Sequence, residues 1–588
     1  MKTSCFSVPA NRIMTLVFIL FILKFGFAQD VSRDLQKPPA LDESRIRELW
    51  MEQPPGVQVG FGTASVRYPQ QLPPSGNMSG TWKVSGWKNE KVNTQFLVWS
   101  KEGIDNFSWV LSELKAGNGR TIGAEAFSGG PVEYVMTDEF RDGCGYRRSA
   151  DFDSSMVADI IRSDRLASSV AAMHTQPVWL GIQIPVDAAP GLYKATLTIK
   201  AGGRDYPLMI ELTVVDRALP FSKNRTFQLD LWQHPAAIAR VHNVPLWSNE
   251  HFSLMRNYYT MLASLGQKAI TASIVDEPWN HQTYDDYPGL VKWTRKRDGS
   301  WKFDYALFDK YVGFVMSCGI DRRINCYSMI PWKIEFSYYD EAAGKELAFT
   351  HSVGTDEYNA FWETMLRDFT AHLKKMGWFG ITAIAMDERP MDAMKSVIAL
   401  LKSIDPEWKI ALAGDYHDEI EGDIYDYCLA SRFTFPDKVL KAREESGKLS
   451  TWYTCCTEVY PNLFTFSAPD EGVWIGWYTA AAGFDGYLRW AYNSFTANPL
   501  KDSRFTAWPA GDTYQVYPGP LPSIRFEKLN EGIQDFEKIR LLREEFKVRN
   551  ETEKLKRLEE ELAGFKISTL SSVSAQEMVE KARILLNE

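Results

Sequence analysis

Eight Asp-Glu dipeptides punctuate the sequence, starting at Asp42, Asp138, Asp276, Asp340, Asp356, Asp387, Asp418 and Asp470. Adjacent carboxylates have a particular chemical use. Close like charges resist ionising together, so one group stays protonated near neutrality and can donate to a leaving-group oxygen. The same dipeptide also opens helices, where acidic side chains complement the positive end of the helix dipole. Position separates these uses. Only two of the eight directly follow a strongly apolar run: Ile274-Val275-Asp276-Glu277-Pro278 and Ala385-Met386-Asp387-Glu388-Arg389-Pro390. In the second, strand alternation puts Ile381, Ala383, Ala385 and Asp387 on one face and Thr382, Ile384 and Met386 on the other. The small residues suit a crowded interior and the larger ones suit packing against helices. Asp387 therefore points inward at a strand end. Glu388 has the opposite parity, and the bend expected before Pro390 turns it toward the same pocket.

Two carboxyls that act as nucleophile and acid on a glycosidic bond stand about 5–5.5 Å apart on opposite sides of it. Chain neighbours cannot easily straddle a sugar in that way. They fit a substrate-assisted reaction, in which the 2-acetamido oxygen of the sugar attacks the anomeric carbon. One carboxylate then orients the acetamido group while its neighbour serves as general acid and base.

The elements that position this pair follow a strand-helix rhythm after Pro220. Eight strands are expected: Phe227–Trp232, Ala269–Ile274, Arg323–Met329, Ile381–Met386, Lys409–Ala413, Ile424–Ala430, Ser450–Cys455 and Phe484–Trp490. Phe361, Met365, Phe369, Leu373 and Met376 share one stripe at helical spacing. Eight such units in about 300 residues predict a (β/α)8 TIM-like barrel, whose active groups gather at the C-terminal strand ends. An open parallel sheet is the alternative, and the sequence has no glycine-rich phosphate loop to support it. Before the barrel, short alternating runs between Gly, Pro and Asn turns predict an antiparallel β-sandwich; Asn93–Trp99, Val178–Pro185, Leu192–Lys200 and Tyr206–Val215 are examples. The tail carries helical stripes at Ile533, Phe536, Ile539 and Leu542, then at Leu555, Leu558 and Leu562. The expected division is a signal peptide at 1–28, a sandwich domain at 29–225, a catalytic barrel at 226–526 and a C-terminal helical region at 527–588.

Several aromatic and polar side chains fall at the mouth of such a barrel: Trp232 and His234 after strand one, Trp279 and His281 after strand two, Trp332 after strand three, Tyr416 after strand five, Tyr453 near the end of strand seven, and Trp490 with Asn493 after strand eight. Of these, Trp232, His234, His281, Trp332, Tyr416, Tyr453, Trp490 and Asn493 are candidate substrate contacts. A Trp at a strand end also serves simply to close a core, and His281 also fits a satisfied loop histidine. Asp512 and Tyr517 lie in a Pro/Gly-rich loop able to fold over the mouth; Arg525 is placed either to pin that loop or to pair with a carboxylate, and the structural role is the one expected.

Composition narrows the function class. The 588 residues carry a formal charge of −9, and no Lys/Arg run stands out, which gives no support to a nucleic-acid reading. The 20 Trp suit the flat apolar faces of sugar rings as well as large cores. Lys2 and Arg12 precede the apolar run Ile13–Leu23, and Gly26-Phe27-Ala28 follows, so a signal peptide cleaved after Ala28 and an exported protein without a membrane span are expected. Cys144, Cys318, Cys326, Cys428, Cys455 and Cys456 remain after cleavage; their irregular spacing predicts buried free thiols rather than disulfides or a zinc site.

Four stretches together resemble glycoside hydrolase family 123, the β-N-acetylgalactosaminidases. They are Leu229-Asp230-Leu231-Trp232-Gln233-His234-Pro235, Ala385-Met386-Asp387-Glu388-Arg389-Pro390, Gly483-Phe484-Asp485-Gly486-Tyr487-Leu488-Arg489-Trp490-Ala491-Tyr492-Asn493, and Pro522-Ser523-Ile524-Arg525-Phe526-Glu527 with Glu531-Gly532-Ile533-Gln534-Asp535. The resemblance spans nearly the whole mature chain. It implies the sandwich and barrel, release of terminal β-linked N-acetylgalactosamine from a glycan by the substrate-assisted route, and no metal or organic cofactor. It makes Asp387 the acetamido stabiliser and Glu388 the acid/base. The rival readings are a β-N-acetylglucosaminidase, differing only in how the C4 hydroxyl is met, and a non-catalytic glycan-binding protein on the same scaffold.

Overall fold

The computed structural model describes residues 42–588 except 77, 139–142, 149, 151, 153 and 154. The expected signal peptide at 1–28 lies outside the described residues.

Residues 58–218 form two facing sheets. One has five strands, Gln58–Phe61, Lys91–Ser100, His174–Gln183, Phe127–Thr137 and Ser155–Ile161, paired in that order and all antiparallel. The other runs Thr81–Lys88, Arg204–Ala218, Gly191–Ala201, Ile104–Leu111 and Ala167–Val170, with two short strands alongside. Its antiparallel pattern has one exception, since Thr81–Lys88 pairs in parallel with Arg204–Ala218. Gly202 and Gly203 both take positive φ between the longest pair, the conformation a two-residue hairpin turn demands. Alternate residues such as Phe96, Val98, Val178, Leu180, Leu197, Ile199, Ile210 and Leu212 meet between the sheets.

The barrel strands are β1 (Gln228–Leu231), β2 (Ala269–Ser273), β3 (Arg323–Tyr327), β4 (Thr382–Met386), β5 (Lys409–Gly414), β6 (Asp426–Ala430), β7 (Leu449–Tyr453) and β8 (Gly486–Arg489). All eight fall inside or beside the expected segments. Each pairs in parallel with its neighbours in the order β1-β8-β7-β6-β5-β4-β3-β2, and a parallel bridge from Leu229 to Gln267 draws the two ends together. Two features depart from a regular barrel. The crossover from β5 to β6 contains only the 3₁₀ turn Glu421–Asp423. The long segments after β2 and β3 pair with each other as a four-stranded sheet, Trp301–Asp304, Lys292–Arg295, Phe336–Asp340 and Lys345–Phe349, outside the eight strands expected from the sequence. Its Trp293 stacks on Phe361 of the helix Asp356–Met376, with ring centroids 5.0 Å apart.

Strand parity in β4 divides the core. Ala383 and Ala385 face the barrel interior with Trp232, Trp279, Tyr327 and Tyr453. Ile384 and Met386 pack outward with the helices. Ile381 was expected on the inner face. It instead ends a 3₁₀ turn before the strand and packs outside, because alternation applies only once the ladder begins.

The last barrel helix is Ile524–Val548, and the division expected at residue 526 falls inside it. It crosses the helix Pro469–Ala481 at glycines: a Cβ on Gly476 would lie 1.9 Å from the carbonyl oxygen of Gly532. The same helix anchors the sandwich. Arg525 bonds Asp159 at 2.9 Å, and Lys91 reaches Glu527 at 2.7 Å. Arg525 also donates to the carbonyls of Leu463, Gly511 and Tyr514, the pinning role expected of it. Cys144 and Cys456 form a disulfide between the sandwich segment and the loop after β7. This corrects the expectation of free thiols for those two, since cysteines 312 residues apart in sequence meet only after the domains dock. Cys318, Cys326 and Cys428 are free and buried; Cys455 is free and partly buried. Among the described residues, no helix is long and apolar enough to cross a membrane.

Candidate active site

The C-terminal end of β4 delivers Asp387 to a pocket floored by aromatic rings. Trp232 lies 5.0 Å from Trp279 and 4.7 Å from Tyr327, and Trp279 lies 4.9 Å from Tyr327. Oδ2 of Asp387 accepts the indole N–H of Trp279 at 2.9 Å and that of Trp332 at 3.3 Å. Oδ1 of Asp387 and Nε1 of Trp232 are buried without a hydrogen-bond partner among the described residues. Burial raises the Asp387 carboxyl to about 6, against the pull of Arg389 and the two indole donors, while Glu388 pushes it up further. The buried orphan acceptor and donor are what a polar ligand group would satisfy.

Glu388 is exposed at the mouth. The hydroxyl of Tyr453 donates to its Oε1. The strand-end bend thus brings both carboxylates to one opening, as the sequence predicted. Gly414, at the end of β5, makes room for this: a Cβ there would sit 3.2 Å from Cγ of Glu388. Arg389 is the third member of the cluster. Its guanidinium lies 3.7 Å from the centroid of the Trp332 ring, where a cation is attracted by the ring face. Trp332 is 44% exposed, the most open aromatic of the site.

The other expected contacts divide. Tyr453 touches Glu388, and Trp232 and Trp332 line the pocket. Trp490 donates to Oδ2 of Asp512 at 3.2 Å, and Asp512 is ion-paired with the buried Arg489 at 2.6 Å. Tyr416 is a mouth residue whose hydroxyl binds Asp418 and whose ring packs on Phe435. His234 is fully buried, stacked on Tyr287 at 3.6 Å, with its ring nitrogens near Ser494 Oγ and the carbonyl of Asp286. Burial holds it neutral, down to about 3. Asn493 both accepts from and donates to the backbone of His234. These two side chains are committed to each other's segment and position the pocket wall. His281 is exposed, and its Nδ1 meets Oδ1 of Asp286 at 2.7 Å. That hydrogen bond is the main reason its imidazole titrates above the usual range.

The described residues hold two groups close enough to share a cation: Cys144, Cys455 and Cys456, two of which are disulfide-bonded, and Glu277, His281 and Asp286. Glu277 accepts the backbone N–H groups of His281 and Tyr287, so this trio acts as a latch on the loop after β2. Two further mouth carboxylates are held in place. Glu458 accepts from Ser431 Oγ and from the N–H of Cys455, and Asp512 is fixed by Arg489 and Trp490. Gly414 and Arg389 are site residues beyond those expected from the sequence. Glycine at a barrel strand end, and an arginine contiguous with the acidic pair, were the available signals.

Residues 232–542 match the family model for the glycoside hydrolase 123 catalytic domain, and residues 61–201 match that for the glycoside hydrolase 123 N-terminal domain. Among solved structures, the chain is similar to a family 123 glycoside hydrolase from Clostridium perfringens, described for glycolipid glycan hydrolysis. Identity is 26%, the TM-score is 0.80, and the match covers 90% of this chain and 99% of the other. A β-glucuronidase from Parabacteroides merdae matches at 10% identity and a TM-score of 0.27 over 76% of this chain and 50% of its own. That likeness is too loose to carry an argument. No curated protein matches the chain.

Proposed function

The chain belongs to glycoside hydrolase family 123 and is a glycosidase; from that premise we propose that it releases terminal β-linked N-acetylgalactosamine with retention, using the 2-acetamido group of the substrate as nucleophile. The observation that carries this reading is the state of Asp387. One oxygen is held by two indole donors, the other is buried without a partner, and aromatic rings surround it. An acetamido N–H directed at Oδ1 would satisfy the orphan acceptor. Its methyl group would lie among Trp232, Trp279 and Tyr327. The held carboxylate would favour the positive charge that develops as the acetamido oxygen closes on the anomeric carbon. Glu388, steadied by Tyr453, then protonates the leaving oxygen and later takes a proton from water. A covalent route would call for a second free carboxylate across the sugar. Glu458 and Asp512, the mouth carboxylates described above, are instead bound within the wall.

The substrate class extends the same reading: glycolipid-borne glycans are one source of terminal N-acetylgalactosamine, by analogy with the Clostridium perfringens relative. We place the enzyme outside the cytoplasm after loss of residues 1–28, a location that suits a disulfide. Chromogenic β-GalNAc and β-GlcNAc glycosides assayed side by side test the sugar. Equal or greater turnover of the GlcNAc glycoside would overturn the assignment. A GalNAc-thiazoline should inhibit competitively; hydrolysis that is indifferent to it would point to an enzyme nucleophile.

A further inference from the structure

The opposite end of the barrel holds a second polar cavity, of about 360 Å³. It is formed at the N-terminal ends of the strands: Gln228 opens β1, Lys268 immediately precedes β2, and Arg322 and Arg323 lead into β3. Lys223 and Arg225 come from the segment linking the sandwich to β1. Five cationic side chains thus line one cavity, and none of its lining residues is acidic.

Compensation for these charges is partial. Arg323 faces Asp426 at 3.4 Å, and Arg322 faces Asp321 at 3.5 Å, where both side chains are exposed. Among the described residues, Lys223, Arg225 and Lys268 have no carboxylate at ion-pair distance. Arg225 and Arg323 are 7% and 5% exposed. Nε of Arg225 and Nη2 of Arg323 are buried without a hydrogen-bond acceptor, while Nη1 of each is bonded within the protein and Nε of Arg323 is the atom that faces Asp426. Buried guanidinium groups ordinarily fill those positions. Lys268 donates to the carbonyl of Arg225 and is pushed down to about 8, first by burial and then by the charge of Arg322; Glu537 opposes this shift, and Arg323 and Arg225 add to it. Five cations at one opening repel one another; Asp426 and Glu537 offset part of that repulsion, and an anion held among the cations would offset more.

We propose that this basal cavity is a binding site for a tetrahedral oxyanion, phosphate or sulfate, either free or carried as an ester on a glycan. Guanidinium forks match the paired oxygens of such a group, and the lysines add point charges. The volume lies within the range of ligand pockets and exceeds that of the anion, leaving room for a sugar to which it is attached.

Calorimetric titration of the full-length mature protein with sodium phosphate, sodium sulfate and glucose 6-sulfate tests this. The expected result is one saturable site for at least one of the three. It should weaken about tenfold or more in a K223Q/R322Q variant. Both replaced side chains are exposed, and neither belongs to the catalytic mouth, so hydrolysis of a chromogenic glycoside should be unchanged and will report an intact fold. Tenfold tighter binding of glucose 6-sulfate than of sulfate would assign the site to an esterified glycan. Equal or tighter binding of the inorganic ions would assign it to the free anion. No saturable binding by any of the three at millimolar concentration, or identical titrations of variant and wild type, would overturn the proposal.

Discussion

Trp279 is the shorter of the two donors to Asp387, and Phe in its place would remove the N–H while keeping a ring against Trp232, Tyr287 and Tyr327. The consequence follows from the balance around that carboxyl. Burial drives it up and hydrogen bonds to its charged form draw it back, leaving it at about 6. A hydrogen bond to a charged group contributes about 1.5–3 kcal/mol, and one pKa unit corresponds to about 1.4 kcal/mol. Losing the Trp279 donor should therefore raise Asp387 by about 1–2 units. If the carboxylate form does the work, kcat/KM falls on the acid side as pH drops through about 6 in the wild type. In W279F that limb should move to about 7–8 by the same arithmetic. Trp332 is longer by 0.4 Å and partly exposed, so W332F should move it less. The assay is the pH profile of kcat/KM on a chromogenic β-GalNAc glycoside for the three proteins. A W279F profile lowered equally at every pH, with its acid limb unmoved, would refute the reasoning and leave Trp279 with a packing role alone.

Other substitutions probe the neighbouring parts. Y453F should lower kcat about tenfold or more with little change in KM, because it frees the general acid/base without touching the sugar floor; steady-state kinetics on a folded variant decide this. G414A should lower kcat by about tenfold while hardly changing the melting temperature, since its Cβ displaces Glu388 rather than a core atom. Unchanged kcat would show that Glu388 tolerates the shift. Removing the Cys144–Cys456 bond by C144S/C456S should cost about 2–5 kcal/mol of stability, as expected for a cross-link closing a long loop. Thermal melts with and without reductant should then differ for the wild type and coincide for the variant.

The eight barrel strands were legible because each is a short apolar run between turn signals, and such runs need only neighbours to pair. The inward direction of Asp387 was legible for a related reason: a period of two, once anchored by Ala383 and Ala385, fixes which face every residue takes. Ile381 shows the limit, because parity has no meaning one residue before the ladder starts. Strand-end position ranked the acidic pair above six of its seven identical copies, and strand parity with the family resemblance then separated it from Asp276-Glu277. Its partners could not be ranked. Trp232, His234 and Asn493 read alike as mouth residues, yet His234 and Asn493 bond each other's segment while Trp232 lines the pocket. The four-stranded sheet, the Cys144–Cys456 bond, and the close approach of Gly414 to Glu388 join segments distant in sequence.

The two ends of the barrel set this division most plainly. By itself the sequence determined where strands lie, which face each residue takes, and therefore that Asp387 and Glu388 emerge together at one rim. Those properties follow from local periodicity and from adjacency along the chain. It also showed no basic run, correctly, because the cations of the basal cavity come from residues 223–225, 268 and 322–323. Only closure of the barrel brings those three segments within reach of one anion, and only closure sets Tyr453, Trp279 and Trp332 around the acidic pair. Hydrogen bonds and charge interactions depend on distance in space, and the folded barrel alone fixes that distance.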